Sequence, residues 1–72
     1  KRVDADFTAD INLTVREAER KGGRPAFRPS EGQYEAWIED AEGDVLGEAY
    51  ADTAAEALAL ALMGWLEAEK EK

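Results

Sequence analysis

The amino-acid sequence predicts an α+β fold of order α-β-β-β-α, a three-stranded antiparallel sheet with two helices on one face. Apolar stripes of helical period near both ends of the chain predict the helices. Strict alternation in Tyr34-Glu35-Ala36-Trp37-Ile38-Glu39, rich in aromatic and branched residues, predicts a strand. The turn-forming run Asp40-Ala41-Glu42-Gly43-Asp44 then sends Val45 to Ala51 back as its antiparallel partner. Packing both helices on one face of the sheet gathers every apolar surface into a single core, which is all that 72 residues can build.

Residues 1–6 are charged and unpatterned and are expected to form a frayed lead-in, leaving 7–72 as one α+β domain. Thr8 is placed to cap the first helix, Asp10 suits the positive end of its dipole, and Ile11, Val15 and Ala18 form its apolar stripe. Leu13 falls off that stripe. The helix is expected to end at Lys21, because Gly22 and Gly23 accept a left-handed backbone and Arg20 and Lys21 suit the negative end of the dipole. Pro25 and Pro29 bracket Ala26-Phe27-Arg28 and restrict that segment to an edge strand. After Ala51, Asp52 or Thr53 caps a long second helix that runs through Leu66 into a charged end.

Alternation also assigns faces. With Tyr34, Ala36, Ile38, Val45, Gly47, Ala49 and Ala51 toward the helices, Glu35, Trp37, Glu39, Leu46, Glu48 and Tyr50 point outward. A slip of one residue inverts this, but Gly47, Ala49 and Ala51 are the small residues that a closely packed helix requires. The outward set Glu35, Trp37, Glu39, Glu48 and Tyr50 is therefore the candidate partner-binding surface. On the second helix, Ala54, Leu58, Ala61, Leu62, Trp65 and Leu66 face the sheet, whereas Leu60 and Met63 fall on the far side beside Glu56 and Glu67. Leu60 and Met63 are the candidate self-association seam. The alternative is that the first helix packs against Ala57 and Leu60 and leaves only Met63 exposed.

The formal net charge is -8, and it is unevenly spread. From Ser30 to Glu69 there are eleven carboxylates and no lysine or arginine, while Arg16, Arg20, Lys21, Arg24 and Arg28 crowd the preceding stretch. A basic corner and an acidic body are expected; such a body repels phosphate backbones and favours basic partners. The same acidity also serves solubility alone. Cysteine and histidine are both absent, which removes thiolate nucleophiles, thiolate or imidazole metal ligands and the usual neutral-pH general base. The carboxylate pairs lack a cleft that would raise one pKa, so the chain is not expected to be an enzyme or to hold a cofactor. Asp40 to Asp44 resembles an acidic calcium loop only superficially, lacking its spacing and terminal glutamate, and no metal is expected there. The longest apolar run, Ala57 to Leu66, is about half of a membrane span, so no membrane contact is expected, and a disulfide-free domain with no apolar signal-like segment is expected to be intracellular.

Two family resemblances follow from these segments. The element order, and the stretch from Tyr34 through the alanine-rich last helix, is similar to the double-stranded-RNA-binding domain. That family places lysines at the start of its last helix to contact phosphates, and here that place holds Asp52-Thr53-Ala54-Ala55-Glu56, so no direct nucleic-acid binding is expected. Phe7-Thr8-Ala9-Asp10-Ile11, Tyr34-Glu35-Ala36-Trp37 and Ala51-Asp52-Thr53-Ala54-Ala55-Glu56-Ala57 together resemble the phage ABA sandwich domain over most of the chain. That resemblance implies a phage or prophage origin and an α/β sandwich and carries over no functional residue; with the intracellular reading above, the expected location is the host cytoplasm.

The combined expectation is a small acidic phage-type binding protein that occupies a basic surface of a host nucleic-acid-handling protein, in the manner of an anti-CRISPR or DNA-mimic inhibitor. The alternative is a structural or accessory phage protein that self-associates, for example as a homodimer.

Overall fold

The computed structural model describes residues 11–70. Its elements are α1 (Ile11–Arg20), β1 (Arg24–Ser30), β2 (Gln33–Glu39), β3 (Val45–Ala51) and α2 (Ala54–Lys70), with the strands in the order β1-β2-β3, all antiparallel. This is the expected α-β-β-β-α architecture. The Thr8 cap, Asp10 and the lead-in at 1–6 lie outside the described residues.

The apolar stripe of α1 is completed by a residue that hydropathy overlooks. Thr14 is fully buried and stands one turn before the equally buried Ala18, so the stripe runs Ile11, Thr14, Val15, Ala18. The helix stops at the glycine pair as anticipated. Gly22 adopts φ 92°, its amide donates to the Glu19 carbonyl at 3.0 Å, and the Gly23 amide donates to the Ala18 carbonyl at 2.8 Å. These two bonds form a Schellman motif, which satisfies carbonyls that the ending helix would otherwise strand.

β1 is longer than proline content alone would allow a central strand to be, because it lies at an edge. Pro25 pairs with Ile38 and Pro29 with Tyr34, and neither proline has an amide to donate. Those pairs must therefore be the non-hydrogen-bonded ones, which makes Arg24–Glu39, Ala26–Trp37, Arg28–Glu35 and Ser30–Gln33 the hydrogen-bonded pairs. The last of these closes a two-residue turn in which Glu31 and Gly32 have φ 47° and 84°, the doubly left-handed geometry of a type I′ hairpin. At the second hairpin, the Asp40 carboxylate accepts the amides of Glu42 and Asp44 at 2.8 and 3.0 Å while Gly43 turns at φ 90°.

A bulge beyond that turn corrects one part of the face assignment. Ile38 pairs with Gly47 but Glu39 with Val45, so Leu46 is an extra residue in β3. The alternation slips there. Val45, expected inside, is exposed on the outer face, and Leu46, expected outside, packs against the core. From Gly47 onward the expected alternation holds: Ala36, Ile38 and Ala51 are buried beneath the helices and Tyr34 packs beside them.

Thr53, rather than Asp52, caps α2, its hydroxyl accepting the Glu56 amide at 3.1 Å. Both helices lie on one face of the sheet, α2 chiefly over β3 and β2 and α1 beside it. Ala18, Ile38, Ala61, Leu62 and Trp65 form one end of the core; Ala36, Ala51, Ala57 and Leu58 form the other, with Ile11 and Val15 packed onto them. Ala54 is only half-buried, and Ala57 and Ala59 are wholly buried in its stead. No helix among the described residues is long and apolar enough to cross a membrane.

The helix approaches β3 so closely that a Cβ at Gly47 would collide with the carbonyl oxygen of Ala61 and lie 3.1 Å from the Trp65 amide nitrogen. Both obstacles are helix backbone and cannot rotate away. Gly47→Ala is therefore expected to destabilise the domain by about 1–3 kcal/mol, the usual cost of overpacking, as read from urea unfolding. A neutral effect would contradict this packing.

Candidate functional site

The outer face of the sheet is not covered by either helix and holds the sequence-predicted set. Register arranges it in three cross-strand rows: Arg24–Glu39–Val45, Ala26–Trp37–Glu48 and Arg28–Glu35–Tyr50. All five candidates, Glu35, Trp37, Glu39, Glu48 and Tyr50, lie on this face. Arg28, Glu35, Trp37, Glu39, Val45 and Glu48 line a shallow depression of about 220 Å³ on it.

One row is fully bonded. The Arg28 guanidinium Nε donates to Glu35 Oε1 at 2.8 Å, and the Tyr50 hydroxyl donates to Glu35 Oε2 at 3.1 Å. Arg28 also lies over the Trp37 ring, its Cζ 5.6 Å from the centroid, a cation–π contact. The Glu35 side chain is only 14% exposed, so it is held by its neighbours rather than by water. The hydrogen bond from Arg28 is the main reason its pKa lies below the ordinary glutamate value; desolvation opposes this, and the Tyr50 bond and the Arg28 charge add to it. The hydrogen bond to Glu35, followed by that carboxylate's charge, raises the Tyr50 pKa.

Among the described residues, Glu39 and Glu48 form no ion pair, and Tyr50 and Val45 are 53% and 54% exposed. Carboxylate charge and aromatic surface thus remain available on β2 and β3. The face is not acidic throughout, because Arg24 and Arg28 occupy its β1 side. Their placement follows from the Glu31-Gly32 turn, which fixes Arg28 opposite Glu35; that dipeptide was the unused signal in the sequence. The basic corner is correspondingly divided. Arg20 pairs with Glu17 on α1 at 2.6 Å, and Lys21 pairs with Glu69 of α2 at 2.8 Å and lies 5.2 Å from the centroid of the Trp65 ring.

The second predicted surface is also where the helical wheel put it. Leu60 and Met63 are 40% and 50% exposed, and α1 does not cover Leu60. An open concavity of about 650 Å³ runs beside Met63, Leu66, Glu67, Glu69 and Lys70. Asp40, Glu42 and Asp44 bring carboxylate oxygens within 4.8 Å of one another, but Asp40 is already engaged by two turn amides, so the cluster is accounted for by the hairpin.

No protein-family model, curated protein or solved structure matches the chain. What the face can do must be read from its own chemistry.

The depressed Glu35 pKa has a defined consequence for stability. Its contribution is present above the unfolded carboxylate pKa and is lost as pH falls through the lower folded value. At the alkaline end, the raised Tyr50 pKa gives a contribution complete below the unfolded phenol pKa and lost as pH rises through the folded one. Glu35→Gln should be less stable than the parent at neutral pH, with the gap closing as pH falls below the folded Glu35 pKa. Urea midpoints across the acid range measure this, and a gap independent of pH would show that the row contributes nothing as an ion.

Proposed function

We propose that this domain is a non-catalytic binding protein whose outer sheet face docks on a basic protein surface. The observation that carries the reading is the uncovered face itself: Trp37, Tyr50 and Val45 lie beside the unpaired carboxylates Glu39 and Glu48 on strands that have no basic residue. Aromatic side chains supply affinity at protein interfaces, and like-signed charges around them steer encounter. Arg24 and Arg28 on the β1 side give the face a direction, so a partner would set its basic groups against β2 and β3. The resemblance to phage ABA sandwich domains supports a phage origin, and a host nucleic-acid-handling protein offers the required positive charge on its nucleic-acid-binding surface.

A bacterial lysate passed over the immobilised protein, beside Trp37→Ala, supplies the partner and the test together. Against the captured protein, Trp37→Ala is expected to cost roughly 2 kcal/mol of binding, the scale of an aromatic anchor, with little change in melting temperature. Charge reversal at Glu39 or Glu48 should chiefly slow association and reduce its salt dependence. Full-strength binding by a folded Trp37→Ala would remove the face from consideration.

The exposure of Leu60 and Met63 favours a second reading, self-association through α2, with the exposed Gly64 letting a second helix come near. A weak dimer of this kind appears in sedimentation at about 100 μM and disappears in Met63→Lys. A monomer at that concentration leaves both residues as ordinary surface.

A further inference from the structure

The sheet's two edges are not alike. Along β1 the amide positions that face away from β2 are 25, 27 and 29, and prolines fill two of them, so only Phe27 offers a donor. Parity passes across the sheet. Because Gln33, Glu35, Trp37 and Glu39 bond to β1, it is Tyr34, Ala36 and Ile38 that bond to β3, through Ala51, Ala49 and Gly47. The amides and carbonyls of Glu48 and Tyr50 therefore face the open side of β3, and no other described strand pairs with them. No proline, lysine or arginine blunts this edge anywhere from Val45 to Ala51.

We infer that the open edge of β3 accepts a basic extended segment of a partner protein as a fourth strand. This rests on the reading that the domain binds a basic partner, and it specifies how. In a strand added here, residues hydrogen-bonded opposite Glu48 and Tyr50 share their outward face. Lysine or arginine at those positions meets the unpaired Glu48 carboxylate, and the exposed Asp44 and Asp52 at the two ends of β3 extend the same field. The alternate residues turn toward α2. That helix meets β3 through Ala61, whose carbonyl oxygen lies against Gly47, so small side chains suit those positions.

A second copy of this chain fits the edge less well. Pairing β3 with itself antiparallel sets Asp44 of one copy toward Asp52 of the other and brings the two Glu48 carboxylates together, between molecules of charge -8.

The probe is a blocked peptide of alternating lysine and valine, as long as β3. Two versions carry backbone N-methyl groups, one on every lysine and the other on every valine, with the charge unchanged. The peptide is expected to slow exchange of the Glu48 and Tyr50 amides, followed by NMR, by about tenfold or more. N-methylation at lysine, whose amides face β3, should abolish this, and N-methylation at valine, whose amides face away, should not. No binding at millimolar peptide overturns the inference. Binding that shifts the Trp37 and Arg28 signals but leaves the edge amides fast also overturns it, yet leaves the outer-face reading standing. Protection that grows with protein concentration in the absence of peptide would identify the occupant as a second copy and overturn the basic partner.

Discussion

The closeness of α2 to β3 governs the rest of the structure. At Gly47 the strand backbone touches the helix backbone at Ala61, with no space for even a methyl group between them. A helix so near the sheet leaves no room for large inward side chains, and the interior is accordingly rich in alanine: Ala18, Ala36, Ala57, Ala59 and Ala61 are all fully buried. Bulk is confined to a few positions, Ile38, Leu58, Leu62 and the largely buried Trp65, whose ring leaves no space for a Cβ at Gly23. Small residues thus give close contact between backbones, and Trp65 fills what they leave open.

That economy inside shapes the outside. With the inward row of β3 reduced to Gly47, Ala49 and Ala51, the larger residues of that strand beyond its bulge, Glu48 and Tyr50, stand on the outer face together with Trp37 of β2. Charge on that face is partly settled within the fold, since Arg28 and Tyr50 each donate to one oxygen of Glu35. Glu39 and Glu48 are left with their fields directed at solvent. The resulting surface is polarised across the strands, positive at the proline-protected edge and negative toward the unprotected one. A surface with such a gradient orients a charged partner as well as attracting it.

Much of this was legible in the sequence. Alternation in Tyr34 to Glu39, the glycine pair after Lys21 and the alanine-rich last helix specified the element order, the helix ends and the inner face, because each reflects a local rule of period or backbone conformation. The outer positions of Glu35, Trp37, Glu39, Glu48 and Tyr50 followed from the same period of two. Val45 and Leu46 did not, since the bulge changes the count and the adjacent Gly47 reads equally well as space for the helix. Nor did the mixed charge of the outer face, which depends on pairing across strands: Arg28 reaches Glu35 only once the Glu31-Gly32 turn fixes the register. Thr14 was overlooked because its burial depends on shape and position rather than hydropathy.

The central claim is that the fold is secured chiefly on the helix side of the sheet, with the outer-face row adding to stability but not needed for folding, which leaves that face free for a partner. Urea unfolding of a variant in which Arg28, Glu35, Trp37 and Tyr50 are all replaced by threonine, followed through the remaining Trp65, tests this most directly. Threonine keeps the strand propensity while removing the bonded row and both aromatics. The account predicts a cooperative transition with Trp65 still buried in the native state. A chain that has no cooperative transition, or whose Trp65 is already exposed without urea, would show that the outer face is needed for folding.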